Sequence, residues 1–310
     1  MISRRNLGLP IRILVSLALV GFLVHRYGGD PEFRETLARI EPSSFAAAVG
    51  ILLLGLLLLA LRWKVLLDAA GVAVPLPTAM RLVLVGYFFN FFLPTTVGGD
   101  VARVMGLRHR TGLAVVSSSV LVERMLGFGC LLAIGLAASW QVPSLAVTRN
   151  ALAVATAIFA VGTALVLVGP LPSAGPSAVG RALHGLRRVA IEVRAYGFRP
   201  AALAAAFVLS IAWQLALVLV NTTLSSGLGG VAPFGSLLAL VPVIQAITMI
   251  PVSVGGLGVR ELGYEYFFRA SGFEPAGAVA LAASFLGATV VVALAGGVAY
   301  LAGSARERAS

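Results

Sequence analysis

Charge, cysteine and histidine are what this chain has least of, and each shortage narrows what it does. Asp, Glu, Lys and Arg make up 11% of its 310 residues, where a soluble domain carries about 25%. A single cysteine, Cys130, excludes a disulfide framework and any cysteine metal cluster. His25, His109 and His184 stand far apart and match no zinc spacing. No nucleotide-binding loop, H-E-x-x-H or G-x-S-x-G motif occurs. Gly256-Leu257-Gly258 is not a dinucleotide fingerprint, because no strand–helix context surrounds it. No catalytic residue, cofactor or metal is therefore expected, and ATP-driven work would need another subunit. Acidic residues are scarce as well, 12 against 23 Lys and Arg, for a net charge of +11. Almost all the basic residues lie between apolar runs, so their expected partner is an anionic membrane surface and not nucleic acid.

Hydrophobic residues are abundant, at 59% of the chain with a mean hydropathy of +0.99. Full-length apolar runs cover 10–24, 45–61, 113–140, 151–168, 201–224 and 276–302. A membrane span needs about 17–25 residues, which makes the first run the shortest candidate. Ser3-Arg4-Arg5 ahead of that run imitates a secretory or twin-arginine signal, but no small-residue cleavage site comes after it. It is expected to stay as a first span. Two further runs, 79–93 and 234–250, are each cut off by a proline. At 1.5 Å per residue they rise only about 23–26 Å, less than the roughly 30 Å hydrocarbon core.

Both short runs lead into the same motif. Residues 94–103 read Pro-Thr-Thr-Val-Gly-Gly-Asp-Val-Ala-Arg, and residues 251–260 read Pro-Val-Ser-Val-Gly-Gly-Leu-Gly-Val-Arg. Pro, Val, Gly, Gly and Arg recur in register at an offset of 157 residues, and Thr96 matches Ser253. Paired interrupted segments at corresponding positions of two halves point to a transporter's central site. The chain then divides into a membrane half over 1–168, a linker over 169–200 and a second membrane half over 201–310. In the linker Val179, Leu183, Leu186, Ala190 and Val193 fall at helical spacing among Arg181, Arg187, Arg188 and Arg194. That pattern suits an amphipathic helix on the cytoplasmic leaflet or a solvated connector.

The distribution of basic residues decides how the short runs cross. Eight simple crossings leave 9 basic residues on the side of the N-terminus and 13 opposite. Treating each short run and its motif as a hairpin that returns to its own side leaves 16 against 6. The positive-inside rule prefers the second arrangement. The expected fold is therefore all-α and polytopic, with about six full spans, two inverted re-entrant hairpins and both termini cytoplasmic. Non-helical backbone at such depth is tolerated only inside protein or beside a wet cavity.

Chemistry is expected at the two breaks. Pro ends the incoming helix, and Gly98, Gly99, Gly255 and Gly256 permit unusual backbone and close headgroup approach. New helices over 100–110 and 257–269 would aim N–H groups at the break, which suits an anion. Arg103 and Arg260 lie about one turn into them, and guanidinium groups suit phosphate; snorkelling to the interface is the plainer alternative. Glu123 and Arg124 sit mid-span, where charge faces a cavity or a partner. Arg124 is placed for a lipid phosphate or for Asp100, and Glu123 for Arg260 or Arg103. A purely structural ion-pair network is the rival reading. Glu261 and Glu265 share a helix face and suit a proton or cation relay, or salt bridges. Asn90, one turn before Pro94, is a polar lining candidate. Arg62-Trp63-Lys64 closes the second run like an interface anchor.

These residues together resemble a known family. Arg62-Trp63, Asn90-Phe91-Phe92-Leu93-Pro94, Gly98-Gly99-Asp100-x-x-Arg103, Glu123-Arg124-x-x-Gly127 and Pro251-x-x-x-Gly255-Gly256-x-Gly258-x-x-Glu261 are similar to the lysylphosphatidylglycerol synthase transmembrane region, a flippase-like integral membrane family. The resemblance covers roughly residues 10–303. It implies lipid translocation for the membrane region. In two-part members a separate soluble domain transfers the aminoacyl group, and this chain leaves eight residues after its last apolar run. The resemblance thus implies the translocase part, in a bacterial or archaeal cytoplasmic membrane. It leaves open an anionic phospholipid or a polyprenyl-phosphate-linked cargo. Arg103, Arg260, Arg124, Asn90 and the four motif glycines are the expected substrate contacts, with Asp100, Glu123, Glu261 and Glu265 balancing or coupling charge. A lipid-modifying membrane enzyme and a scaffold for a lipid or glycan biosynthetic partner are the alternatives.

Overall fold

The computed structural model describes residues 8–93, 98–108, 112–170, 178–249 and 252–309, with side chains for all of these but 8–11, 144, 147, 178–183 and 304–309. Both motif prolines, Pro94 and Pro251, lie outside the described residues, as do Thr95, Thr96, Val97 and Ile250. Among the described residues there are twelve α-helices and no strand.

Four helices form a unit that occurs twice. The first unit is α3 (Pro42–Ala69), α4 (Leu76–Phe92), α5 (Gly98–Gly106) and α6 (Leu113–Ser139). The second is α9 (Pro200–Gly227), α10 (Phe234–Thr248), α11 (Val259–Ala270) and α12 (Pro275–Ala309). Each runs long, short, short, long. Moving α3 forward by the 157-residue motif offset gives 199–226, one residue from the observed α9. The repeat visible in ten residues of sequence thus marks a much longer structural repeat.

Composition explains the lengths. α3 and α9 have 28 residues each and are almost wholly apolar, so they rise about 42 Å, ample to cross a roughly 30 Å core. Pro42 and Pro200 open them at the first helical position, where a missing N–H costs nothing. α4 and α10 end at Phe92 and Thr248, just before the motif prolines. Within the first hairpin Gly99 faces Gly86 while Gly106 faces Leu82, so α4 and α5 run antiparallel. In the second, Gly256 faces Thr248 while Gly263 faces Ile244, and α10 and α11 do the same.

The two units interlock. α3 and α9 form the most extensive seam. Gly227 meets Ser44, Gly55 makes room for the Trp213 ring, and Arg62 reaches Ser210, so these equivalent helices run antiparallel. Each short apolar helix packs on the last long helix of the other unit, α4 on α12 and α10 on α6. Gly296 is what permits the first contact: a Cβ there would stand 2.1 Å from the Leu84 carbonyl oxygen. The core lies along these seams, with Leu52, Leu56, Val218, Leu240, Phe268 and Leu281 fully enclosed.

Among the described residues five helices are long and apolar enough to cross a membrane: Pro42–Ala69, Leu113–Ser139, Thr148–Val168, Pro200–Gly227 and Pro275–Gly303. The first apolar run is α1 (Gly8–Tyr27), which turns by 97° into α2 (Pro31–Ala38). Counting that bent pair gives six. α2 was not expected. Asp30 caps it by accepting from the Glu32 N–H at 2.9 Å, and Pro31 fills its first position.

Between the units run α7 (Ala146–Val168) and α8 (Ala178–Ala195). The linker helix exists as the spacing predicts, but its C-terminal half docks on protein. Val189 and Val193, with Tyr196 just beyond, pack against Leu66, Val122 and Ala206. Arg194 donates to the Val166 and Gly169 carbonyl oxygens and ties α8 to the end of α7. Tyr196 donates to the Leu66 carbonyl oxygen at 3.0 Å, and burial pushes its hydroxyl up to about 12.

Candidate functional site

A cavity of about 350 Å³ opens where the two breaks meet. The first unit supplies Arg62, Tyr87, Asn90, Asp100, Arg103, Glu123 and Arg124, and the second supplies Gln214, Gln245, Gly255, Arg260 and Thr289. Its other walls are apolar: Leu59, Phe91, Phe128, Leu131, Trp213, Leu217, Met249 and Phe285. One space therefore presents a charged side and a greasy side. The breaks touch at its rim, where a Cβ on Gly255 would stand 3.0 Å from the Phe91 carbonyl oxygen.

Glu123 is the hub of the charged side. One carboxylate oxygen accepts from Arg62 Nη2 at 2.9 Å, and the other accepts from Arg103 Nη2. Glu123 is only 3% exposed, so both contacts lie away from water. Arg103 also stands 3.8 Å from Asp100, one turn earlier on α5, and Asp100 in turn accepts from Arg124 Nε. The Arg103 guanidinium lies 4.1 Å above the Trp63 ring, whose Nε1 donates to Ser119 Oγ at 3.0 Å. Stacking on Trp and bonding to carboxylate together fix the plane of the guanidinium. Arg62 Nη1 donates to Ser210 Oγ at 2.9 Å and crosses to the second unit. Two glycines make room: a Cβ on Gly127 would stand 3.1 Å from Arg62 Nη1, and one on Gly86 would stand 3.0 Å from Arg103 Cδ.

The second break is built more locally. Arg260 donates to the carboxylate of its neighbour Glu261, from Nη2 at 2.9 Å and from Nε at 3.1 Å. The other oxygen of Glu261 accepts from the Gly258 N–H at 2.7 Å and so caps α11 from within. The Arg260 guanidinium lies 5.4 Å from the Phe285 ring.

The expected residues are thus partly gathered. Arg103, Arg260, Arg124, Asn90, Asp100, Glu123 and Gly255 all line the cavity. Gly98, Gly99 and Gly256 do not line it; Gly99 is buried between α4 and α5 instead. Glu261 stands behind Arg260. Glu265 is not at the cavity: it accepts from Tyr27 at 2.9 Å and pairs with Arg26 at 3.7 Å, under α1. Of the alternatives for Glu123, Arg103 is its partner and Arg260 is not. Arg124 meets Asp100.

Two expectations change. Arg62 and Trp63 are not an interface anchor. α3 continues to Ala69, so the pair lies inside a helix, 6% and 0% exposed, and both serve the network. Only Lys64 of that trio is partly exposed, pairing with Asp68. At each helix start one N–H already has a side-chain acceptor. The Gly99 N–H donates to Asn90 Oδ1 at 2.9 Å, and Gly258 donates to Glu261. The arginines carry the positive potential of the site. The sequence signal for Arg62 is the presence of polar residues inside apolar helices: Ser118 and Glu123 on α6, and Ser210, Gln214 and Asn221 on α9.

No curated protein and no solved structure matches the chain. The sequence profile of one family, described as the lysylphosphatidylglycerol synthase TM region, matches residues 10–297. That match spans nearly all of the paired units and every residue of the cavity, and it makes this multi-pass membrane protein a member of the lysylphosphatidylglycerol synthase transmembrane-region family, with a part in lipid biosynthesis or translocation.

Proposed function

We propose that the chain moves an anionic phospholipid or a lipid-linked phosphate between the leaflets of the cytoplasmic membrane. One observation carries this reading. Arg103 and Arg260 hold the same place in two repeated motifs 157 residues apart, and both line one cavity. The antiparallel pairing of α3 with α9 supports two units of opposite orientation, with one hairpin entering from each face, and the 16-to-6 split of basic residues supports cytoplasmic termini. A site at their meeting point is the arrangement that alternating access uses. The greasy wall accepts the first methylenes of a lipid while the arginines hold its phosphate. Asp100, Glu123 and Glu261 offset the charge of those arginines when no lipid is bound.

The test is translocation in vesicles. Purified protein is reconstituted with tail-labelled phosphatidylglycerol, and the label in the outer leaflet is quenched chemically. Protein-containing vesicles should lose more than half the signal, and Arg103→Gln and Arg260→Gln should slow the second phase. Vesicles that behave like protein-free ones would defeat the reading. Lipid recovered chemically altered would instead support a membrane-embedded enzyme.

A further inference from the structure

The charges around the cavity do not cancel. Four guanidinium groups line it, those of Arg62, Arg103, Arg124 and Arg260, together with the carboxylates of Asp100 and Glu123. Glu261 adds a third carboxylate, bonded to Arg260. Each of these carboxylates forms an ion pair with a guanidinium. Among the described residues the site therefore holds one positive charge more than it neutralises. Acceptors are short as well. The Nε groups of Arg62 and Arg103 are buried and have no acceptor among the described residues. A buried charge that is not balanced is costly, and no further carboxylate lines the cavity among the described residues.

We propose that the cavity selects a headgroup bearing a single negative charge, a phosphodiester without a cationic group, over zwitterionic headgroups, phosphomonoesters and diphosphates. The proposal narrows the cargo of the transport reading and takes its site from that reading. One monoanion neutralises the excess. A zwitterionic headgroup brings its own cation into a space already rich in arginine. A diphosphate brings more negative charge than the site can balance, and it must be desolvated to enter. A volume of about 350 Å³ is small for a ligand pocket, which suits one phosphodiester and little more.

Single substitutions should move the preference. Asp100→Asn and Glu123→Gln each add one net positive charge without changing shape. Arg260→Gln removes one. Binding of three lipids with identical acyl chains is read on the purified full chain in detergent, by native mass spectrometry and by lipid-induced shift of the melting temperature. The lipids are phosphatidylglycerol, phosphatidylcholine and diacylglycerol diphosphate. Wild type should hold phosphatidylglycerol about tenfold tighter than either of the others, the low end for a charge-assisted contact. Asp100→Asn should bring the diphosphate level with phosphatidylglycerol or above it. Arg260→Gln should bring phosphatidylglycerol down to phosphatidylcholine. Should Glu123→Gln fail to fold, Asp100→Asn and the wild-type order still decide. A wild type that prefers the diphosphate or the zwitterion, or an order that Asp100→Asn leaves unmoved, would overturn the proposal. Detergent has no leaflets, so this ranking stands or falls apart from translocation. A protein that moves lipid without the ranking defeats the charge rule alone.

Discussion

At the first break Gly99 lies within α5, and a Cβ there would stand 2.0 Å from the Gly86 carbonyl oxygen. At the second, Gly255, Gly256 and Gly258 take φ values of 57°, 76° and 81°. The same paired glycines thus answer two different physical demands. In the first unit glycine lets two helices touch backbone to backbone. In the second it lets the chain enter the left-handed region, which side chains other than Asn and Asp rarely visit. The arginines differ in the same way. Arg103 is held by Glu123 from another helix, by Asp100 and by Trp63, whereas Arg260 is held by the residue next to it. The first break is welded into the bundle, and the second is a self-contained helix start.

The largest difference should appear when the acidic partners are removed. Glu123→Leu leaves Arg62 without an ion pair and Arg103 with only the longer one to Asp100, both in a buried place. Losing one side of a buried pair costs about 3–5 kcal/mol, so most of the variant should fail to reach a monodisperse peak in detergent. Glu261→Gln keeps an acceptor for Gly258 and leaves a single arginine unpaired. It should purify with a melting temperature only a few degrees lower. Equal losses at the two positions would break the distinction between welded and local.

The glycines come next. Gly99→Asn and Gly99→Val should both abolish translocation and lower the melting temperature, since either Cβ meets backbone that cannot move aside. At Gly256 the two substitutions should separate. Asn tolerates positive φ and Val does not, a difference of about 1–2 kcal/mol. Gly256→Asn should therefore retain activity that Gly256→Val loses. Measuring all four in one vesicle assay sharpens the comparison, and an active Gly99→Asn would end it.

Neutralising either arginine should weaken lipid binding, but only at the first break should it also cost much stability. Arg103→Gln removes a partner of Glu123 and the stack on Trp63, so thermal stability should fall by about 2 kcal/mol. Arg260→Gln loses the Glu261 ion pair and a looser contact with the Phe285 ring, and its main effect should be weaker binding of phosphatidylglycerol, about tenfold. Comparing melting temperatures with lipid affinities for the two proteins checks this. A matched pair of losses would mean that both arginines play one role.

The helices, the paired units and most of the cavity were legible in the sequence. Apolar runs and their lengths come directly from composition. The repeated motif placed Arg103 and Arg260, and charge inside an apolar run marked Glu123 and Arg124. What escaped depends on neighbours that spacing along one helix cannot see. Arg62 and Trp63 end an apolar run in one dimension, yet α3 continues for seven residues beyond Arg62, about 10 Å of further helix. Glu265 shares a face with Glu261, but α1 covers it with Tyr27 and Arg26. α2 is too polar and short to show as an apolar run, although Asp30-Pro31 is a helix-start signal. The glycines were recognised as breaks, but which of them needs left-handed backbone is set by what packs against them.

The smallest effect concerns how each new helix is started. In the first unit a side chain from outside the helix caps it: Asn90, on α4, accepts from the Gly99 N–H at 2.9 Å. In the second unit Glu261 does so from inside the helix. Loss of such a cap costs about 1 kcal/mol, so Asn90→Leu should lower the melting temperature by only a few degrees. Asn90→Asp keeps the acceptor and should melt close to wild type. It also adds a negative charge to a cavity whose excess is a single positive one. Phosphatidylglycerol binding should then fall to the level of phosphatidylcholine while the fold stays intact. Asn90→Leu, which leaves the charge alone, should keep the preference. If the two variants lose binding equally, Asn90 acts by holding α5 in place, and its position on the cavity wall carries no electrostatic role.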